Sequence, residues 1–153
     1  MPPHPMRDVI VLIPGITGSV LKKDGKVVWG FSPGSMTRAL FTGGHSITRA
    51  LELGGDDPER DTLDDGVTAD ALMPDLHLIP GFWKIDGYSL VSDTVRRVFD
   101  VREGENFFTF PYDWRRDNRV AARALQRFVA SRLPVWRQQI GRASCRERVY
   151  SNV

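Results

Sequence analysis

Apolar residues fall into a few short clusters separated by long polar stretches. Val9-Ile-Val-Leu-Ile13 is apolar at five successive positions and mostly β-branched, the pattern of a strand covered on both faces, as in a parallel sheet. Pro14-Gly15 ends it. Residues 15–88 are rich in Gly, Asp and Pro and predict a long, irregular, functional or partly structured connection. Within it, a short strand is expected at Lys26–Trp29, after the turn Lys23-Asp24-Gly25. Val91, Val95, Val98 and Phe99 lie at helical spacing and predict a helix over 89–99, with Ser89 or Asp86 as its cap. Glu103-Gly104 reads as a turn and Phe107–Phe110 as a strand stopped by Pro111. A second helix opens at Asp117 or Asn118, carries its apolar stripe on Ala121, Leu125, Phe128 and Val129, and is expected to end or kink at Pro134. Strand, insertion, helix, strand, helix is the order of an α/β fold with a parallel sheet.

With 153 residues, 41% of them hydrophobic, the chain has the material for one domain with a packed core. The longest apolar run is far short of the roughly 20 residues that span a bilayer, and no secretory apolar region follows Met1. A soluble, cytoplasmic protein is the expectation. The net charge of +2 comes wholly from residues 141–153, which hold three arginines and one glutamate; residues 1–140 hold 18 basic and 18 acidic side chains. The one cysteine, Cys145, is in the same last stretch, so residues 1–140 contain neither a disulfide nor a cysteine metal site. Residues 141–153 lack a sustained apolar stripe and resemble the translated vector or adaptor tails that end truncated sequences. A non-native tail is expected there, with residues 1–140 forming one domain portion; a polar, frayed C-terminus is the alternative.

The first candidate chemistry is the turn Pro14-Gly15-Ile16-Thr17-Gly18. A buried strand ending in a Pro-Gly turn leaves backbone N–H groups at the C-terminal edge of the sheet, where open α/β folds bind ligands. The Ile16 N–H, first after the glycine, suits an oxyanion donor; a plain strand-ending turn is the simpler account. Gly30-Phe-Ser-Pro-Gly34 formally matches G-x-S-x-G. Ser32 fails as a nucleophile, because the next residue must donate its N–H to the oxyanion and Pro33 has none. Ser46, beside His45, lacks the following glycine. His4, His45 and His77 are too scattered for a metal site, and the acidic run Asp56–Asp65 lacks the spacing of a calcium loop and reads as solvated. No phosphate-cradling glycine loop occurs. Neither a metal nor a cofactor is expected. Arg115, Arg119, Arg123 and Arg127 recur every four residues on one helix face. They suit an anionic surface, lipid or nucleic acid, or a face whose partners lie elsewhere in the fold; the second is favoured.

Three segments, Val9–Leu21, Ile79-Pro-Gly-Phe-Trp-Lys-Ile-Asp-Gly-Tyr88 and Phe108-Thr-Phe-Pro-Tyr-Asp-Trp-Arg115, resemble in content, order and spacing the lecithin:cholesterol acyltransferase family, which includes lysosomal phospholipase A2. The resemblance covers about residues 8–140. It implies an α/β-hydrolase fold, of which this would be the N-terminal part of a parallel sheet with flanking helices and a long insertion. It also implies a Ser-Asp-His triad that passes an acyl group from a lipid ester, through a serine ester, to water or an alcohol. By position, Ile16 matches the oxyanion-hole residue, in the turn with Pro14 and Gly15. Trp29 falls in the insertion that borders the active site and carries a lid, which makes it a candidate for acyl-chain contact. Asp113, Trp114 and Arg115 match a signature read as structural.

In that family the nucleophile elbow follows the helix after Asp-Trp-Arg, and the acid and histidine come later still. None of the three is found in these residues. The expectation is therefore the N-terminal portion of a lipid acyltransferase or esterase, inactive by itself. Its expected partners are a lipid or other ester substrate and, transiently, a membrane or lipid surface. A non-catalytic α/β-hydrolase-like binding protein is the alternative. Nucleic acid is not expected as a partner, because residues 1–140 are neutral overall and lack a reading motif.

Overall fold

A computed structural model describes residues 2–30, 49, 51–74, 76–79, 83–85 and 87–150, with backbone alone for 76–79, 83–85 and 139–150. The motif at 30–34, His45 and Ser46 lie almost wholly outside these residues. Strands and helices are mixed. The strands are β1 (His4–Pro5), β2 (Ile10–Leu12), β3 (Ser19–Lys23), β4 (Lys26–Trp29), β5 (Val67–Leu72), β6 (Leu76–Ile79), β7 (Trp83–Ile85), β8 (Phe99–Asp100) and β9 (Phe107–Thr109). Two helices lie wholly within the described residues, α1 (Ser89–Val98) and α2 (Asn118–Tyr150).

Among the described residues, two pairings are parallel. β2 runs beside β9, with Ile10 opposite Phe107 and Leu12 opposite Thr109, and β1 runs beside β8. Parallel neighbours need a crossover, and α1 lies on the connection between β2 and β9. The other sheets are antiparallel: β4-β3-β5, and the hairpin β6-β7. The described parts of the insertion are thus more ordered than their composition suggests. β3 and β4 are joined through Asp24 and Gly25, both at positive φ (49° and 77°), the geometry of a tight two-residue hairpin. β5 covers the other edge of β3.

The most covered apolar side chains are Leu21 of β3, Phe107 and Phe108 of β9, Phe110, Val101 and Val120 of α2. α2 presents Val120, Ala121, Leu125 and Phe128 inward. The Phe128 ring meets Phe108 edge-on at 5.8 Å and Phe110 at 5.4 Å, in the offset geometry that aromatic quadrupoles favour. Asp117 opens α2: its Oδ1 accepts from the Arg119 N–H at 2.8 Å, as an N-cap carboxylate does.

Three local expectations are corrected. α1 follows Tyr88 without a side-chain cap, and its covered positions are Ser92 and, in part, Thr94 and Val95. Val91 and Val98 are exposed, because α1 is covered along the line Tyr88-Ser92-Val95 and its other side faces solvent. Of the two outcomes expected at Pro134, an end to the helix is the one overturned: α2 continues to Tyr150. The Pro134 ring removes one helical hydrogen bond, but the Arg-, Ala- and Gln-rich stretch around it favours helix at nearly every other position.

The third correction concerns the acidic run, which is not simply solvated. It is folded onto the arginines that follow β9. The Arg116 guanidinium, 6% exposed, donates to Asp56 Oδ1 (3.0 Å) and to the carbonyls of Asp57 (3.2 Å), Arg60 (2.7 Å) and Asp61 (2.8 Å). Asp56 Oδ2 also accepts from the Asp117 N–H at 2.6 Å. Arg115, 3% exposed, pairs with Asp113 at 2.6 Å and Asp65 at 2.8 Å. Asp61 receives Arg123 (3.2 Å) and Arg127 (3.0 Å), and Arg123 also donates to the Pro58 carbonyl. The regular arginine spacing therefore finds its partners inside the fold. Among the described buried side-chain atoms, only Arg115 Nη1 lacks a hydrogen-bond partner.

These contacts shift the carboxyl groups. The Asp117 N–H and Arg116 hold Asp56 below its ordinary 3.8, and Arg123 does the same for Asp61. Burial pushes Asp65 up, but Arg115 and the Val67 N–H outweigh it and the group is lowered overall. Arg119, through its side chain and its N–H, brings Asp117 down to about 2. Each group binds its proton more readily in the unfolded chain, so its stabilising contribution is complete above 3.8 and disappears as pH falls through the lowered folded value. Thermal melts should therefore give a Tm that is steady from pH 7 to about 5 and falls between about pH 4 and pH 2. A Tm that is constant or rising across the acid range would show that the arginine contacts contribute nothing.

Candidate functional site

β2 and β9 run in the same direction, so the segments that leave their C-terminal ends, residues 13–18 and 110–116, lie at one edge of the pair. That edge is where α/β sheets present ligand-binding groups. The turn after β2 is closed by a Gly18 N–H bond to the Gly15 carbonyl (3.0 Å), and Thr17 takes φ 65°, a left-handed conformation uncommon outside glycine. Pro14 and Gly18 are buried, while the Ile16 side chain is 75% exposed. No hydrogen bond of the Ile16 N–H is formed among the described residues.

Three aromatic residues hold this turn. The Tyr88 hydroxyl accepts from the Gly15 N–H at 2.7 Å. The Trp29 indole N–H donates to the Thr17 carbonyl at 2.9 Å. The Trp114 indole N–H reaches the Ser19 carbonyl at 3.4 Å, and the two indoles meet edge-on with centroids 5.3 Å apart. Buried Ser19 completes the junction: its hydroxyl oxygen accepts from the Tyr112 N–H at 3.0 Å, which ties the turn after β2 to the segment after β9.

Tyr88 belongs to a closed circuit. Its N–H donates to the Met73 carbonyl (3.2 Å), the Met73 N–H donates to the Gly18 carbonyl (2.8 Å), and the Tyr88 hydroxyl returns to Gly15. Two glycines permit this approach. A Cβ on Gly18 would lie 2.5 Å from the Tyr88 hydroxyl and 2.8 Å from Pro14 Cβ; one on Gly87 would lie 2.5 Å from the Met73 carbonyl oxygen. These are distances that no side chain tolerates without displacement.

Pro14, Gly15, Ile16, Trp29 and Trp114 are thus gathered around one turn. Asp113 and Arg115 are placed apart from it in function. The Asp113 carboxylate accepts from the Arg115 N–H (3.1 Å) and from its guanidinium, and the pair anchors Asp65. Asp113 raises the Arg115 pKa further above its ordinary value. Trp29 stands against Trp114 with its polar edge on the turn. The His77 side chain and residues 80–82 and 86 of the Ile79–Tyr88 segment lie outside what the structure describes. Tyr88, Met73 and Ser19 have no assigned role in the sequence reading, because their function depends on approaches between segments 55 to 93 residues apart. The one local hint is Gly87 directly before Tyr88.

Among the described residues, no three His, Cys, Asp or Glu side chains converge as a metal would require. No helix among them is long and apolar enough to cross a membrane. The chain matches no family model, no curated protein and no solved structure.

Replacing Tyr88 by Phe removes the acceptor of the Gly15 N–H and keeps the ring. The variant should lose about 1 kcal/mol, the net value of a typical hydrogen bond, which corresponds to a fall in Tm of about 2–4 °C for a chain of this size. An unchanged Tm in calorimetry would mean that this bond does not secure the turn.

Proposed function

We propose that this chain is the oxyanion-side portion of a serine-dependent lipid acyltransferase or esterase with an α/β-hydrolase fold, and that it is inactive by itself. The observation that carries the reading is the Ile16 N–H, left without a partner among the described residues in a turn secured on both sides, at the C-terminal edge of a parallel strand pair. A fixed donor of this kind needs no rearrangement as negative charge develops on a carbonyl oxygen, and removing one such donor typically lowers kcat by about 10²–10³. The Gly15 N–H is committed to Tyr88 and the Gly18 N–H to the Gly15 carbonyl; the turn therefore offers the N–H groups of Ile16 and Thr17, and Ile16 is the one that the resemblance matches to the oxyanion-hole residue.

The remaining roles follow from chemistry. An acyl group passes through a serine ester only if a serine, a base and an orienting acid meet near that donor. Ser19 is fully buried, with its hydroxyl committed to the Tyr112 N–H, and so cannot serve as the nucleophile. In this reading the nucleophile, acid and histidine come from sequence beyond these residues, on a strand following α2. The exposed Ile13 and Ile16 side chains flank the donor with apolar surface, which suits a lipid ester or transient contact with a lipid surface. No cofactor takes part.

The test has two arms. Purified chain should hydrolyse p-nitrophenyl butyrate no faster than buffer, and saturable turnover lost on Ser32→Ala or Ser46→Ala would overturn the proposal. The gene sequenced past the codon for Ile140 should encode an apolar strand leading into G-x-S-x-G. A continuation with no serine elbow would instead favour a non-catalytic binding protein of the same fold.

A further inference from the structure

A half-open cavity of about 420 Å³ lies beside the segment that follows β9. One wall is the stretch from Asp61 to Ala69. The opposite wall is Phe110–Asp113 together with Arg116, Val120, Ala121 and Ala124 at the start of α2. The volume is within the range of small-molecule sites. Its place at the carboxyl end of a strand of the parallel pair is where α/β folds take their ligands.

We propose that this cavity binds the apolar body of a small, uncharged molecule. Three observations lead there. First, the lining side chains are mainly apolar, with Phe110, Pro111, Tyr112 and Val120 providing hydrocarbon surface. Second, the room exists because α2 turns Ala121 and Ala124 toward it; a larger residue at either position would fill it. Third, every charged side chain on its walls already has an oppositely charged partner within the protein. Asp61 faces Arg123 and Arg127, Asp65 and Asp113 face Arg115, and Arg116 spends its donors on Asp56 and three carbonyls. A charged ligand would lose its hydration with no free counter-charge to meet it, so the walls select for a neutral one. The Arg116 contacts also hold the 56–61 end of the loop in place, which keeps the wall standing when the cavity is empty. This inference does not rest on the acyl-transfer reading and applies equally to a binding protein.

The probe is N-phenyl-1-naphthylamine, an uncharged dye whose fluorescence rises in apolar surroundings, titrated into the full chain. Saturable binding at one site is expected, with Ala124→Phe weakening it at least tenfold. Val135→Ser, which alters an exposed apolar residue outside the cavity, should leave the affinity unchanged. Far-UV circular dichroism checks that each variant is folded. Should Ala124→Phe not fold, ¹H–¹⁵N shift mapping on the unaltered chain decides: the dye should move the amides of 63–69, 110, 112, 113 and 120–124. The proposal is overturned by an absence of saturable binding, by equal affinity in folded Ala124→Phe, by loss of binding in Val135→Ser, or by shifts confined to other segments. It is overturned as well if the sulfonated analogue 8-anilinonaphthalene-1-sulfonate binds the same amides more tightly than the neutral dye.

Discussion

Two consecutive arginines hold the two ends of one acidic loop. Arg116 gathers residues 56–61 through a carboxylate and three carbonyls, and Arg115 takes Asp65 while it is itself fixed by Asp113. Neighbouring side chains project in different directions, so a single dipeptide can reach both ends of a ten-residue loop. Much then depends on this knot. Asp65 Oδ1 accepts from the Val67 N–H at 3.1 Å and so marks the start of β5. β5 pairs with β3, and β3 begins at Ser19, directly after the turn that offers the Ile16 N–H. Charges taken this far out of water are stabilising only when fully paired. The near-complete set of hydrogen bonds around Arg116 and Arg115 is what makes the arrangement tenable.

The turn after β2 shows the complementary logic. Its backbone is unusual at Thr17 and it has little apolar burial of its own, yet Tyr88, Trp29 and Met73 each share one hydrogen bond with it from a different segment. A turn held at three points is a rigid mount. In the proposed reading, that rigidity keeps the Ile16 N–H aimed before charge appears on the carbonyl oxygen. The neighbouring cavity draws on the same framework, since one of its walls is the loop that the arginines pin down.

Elements set by local pattern were legible in the sequence. The apolar run of β2, the Asp24-Gly25 hairpin, the aromatic strand at 107–109 and the inward stripe of α2 all depend on spacing along a short stretch. What depended on distant partners was not. The acidic loop looked solvated because its counter-charges lie some 60 residues away, although an acid-rich segment in a neutral domain, and an arginine-rich helix with no acid from 118 to 140, are two halves of one signal. Val91 and Val98 satisfy helical spacing but face solvent, since periodicity identifies an apolar face without saying what covers it. The turn that carries Ile16 could be read from the strand-Pro-Gly pattern; Tyr88, which secures the neighbouring Gly15, could not, because a tyrosine before a helix has no local signature of reaching a turn 73 residues earlier.

The central claim is that Arg115 and Arg116 are internal structural ties and not part of a basic surface. The guanidinium Nε–H signals in a ¹H–¹⁵N spectrum at neutral pH test it most directly. The account predicts separate, dispersed signals for Arg115 and Arg116, exchanging slowly with water and persisting when salt is raised, while exposed arginines such as Arg102 collapse together and exchange fast. Signals from Arg115 and Arg116 that merge with the exposed set, or that vanish at moderate salt, would contradict it.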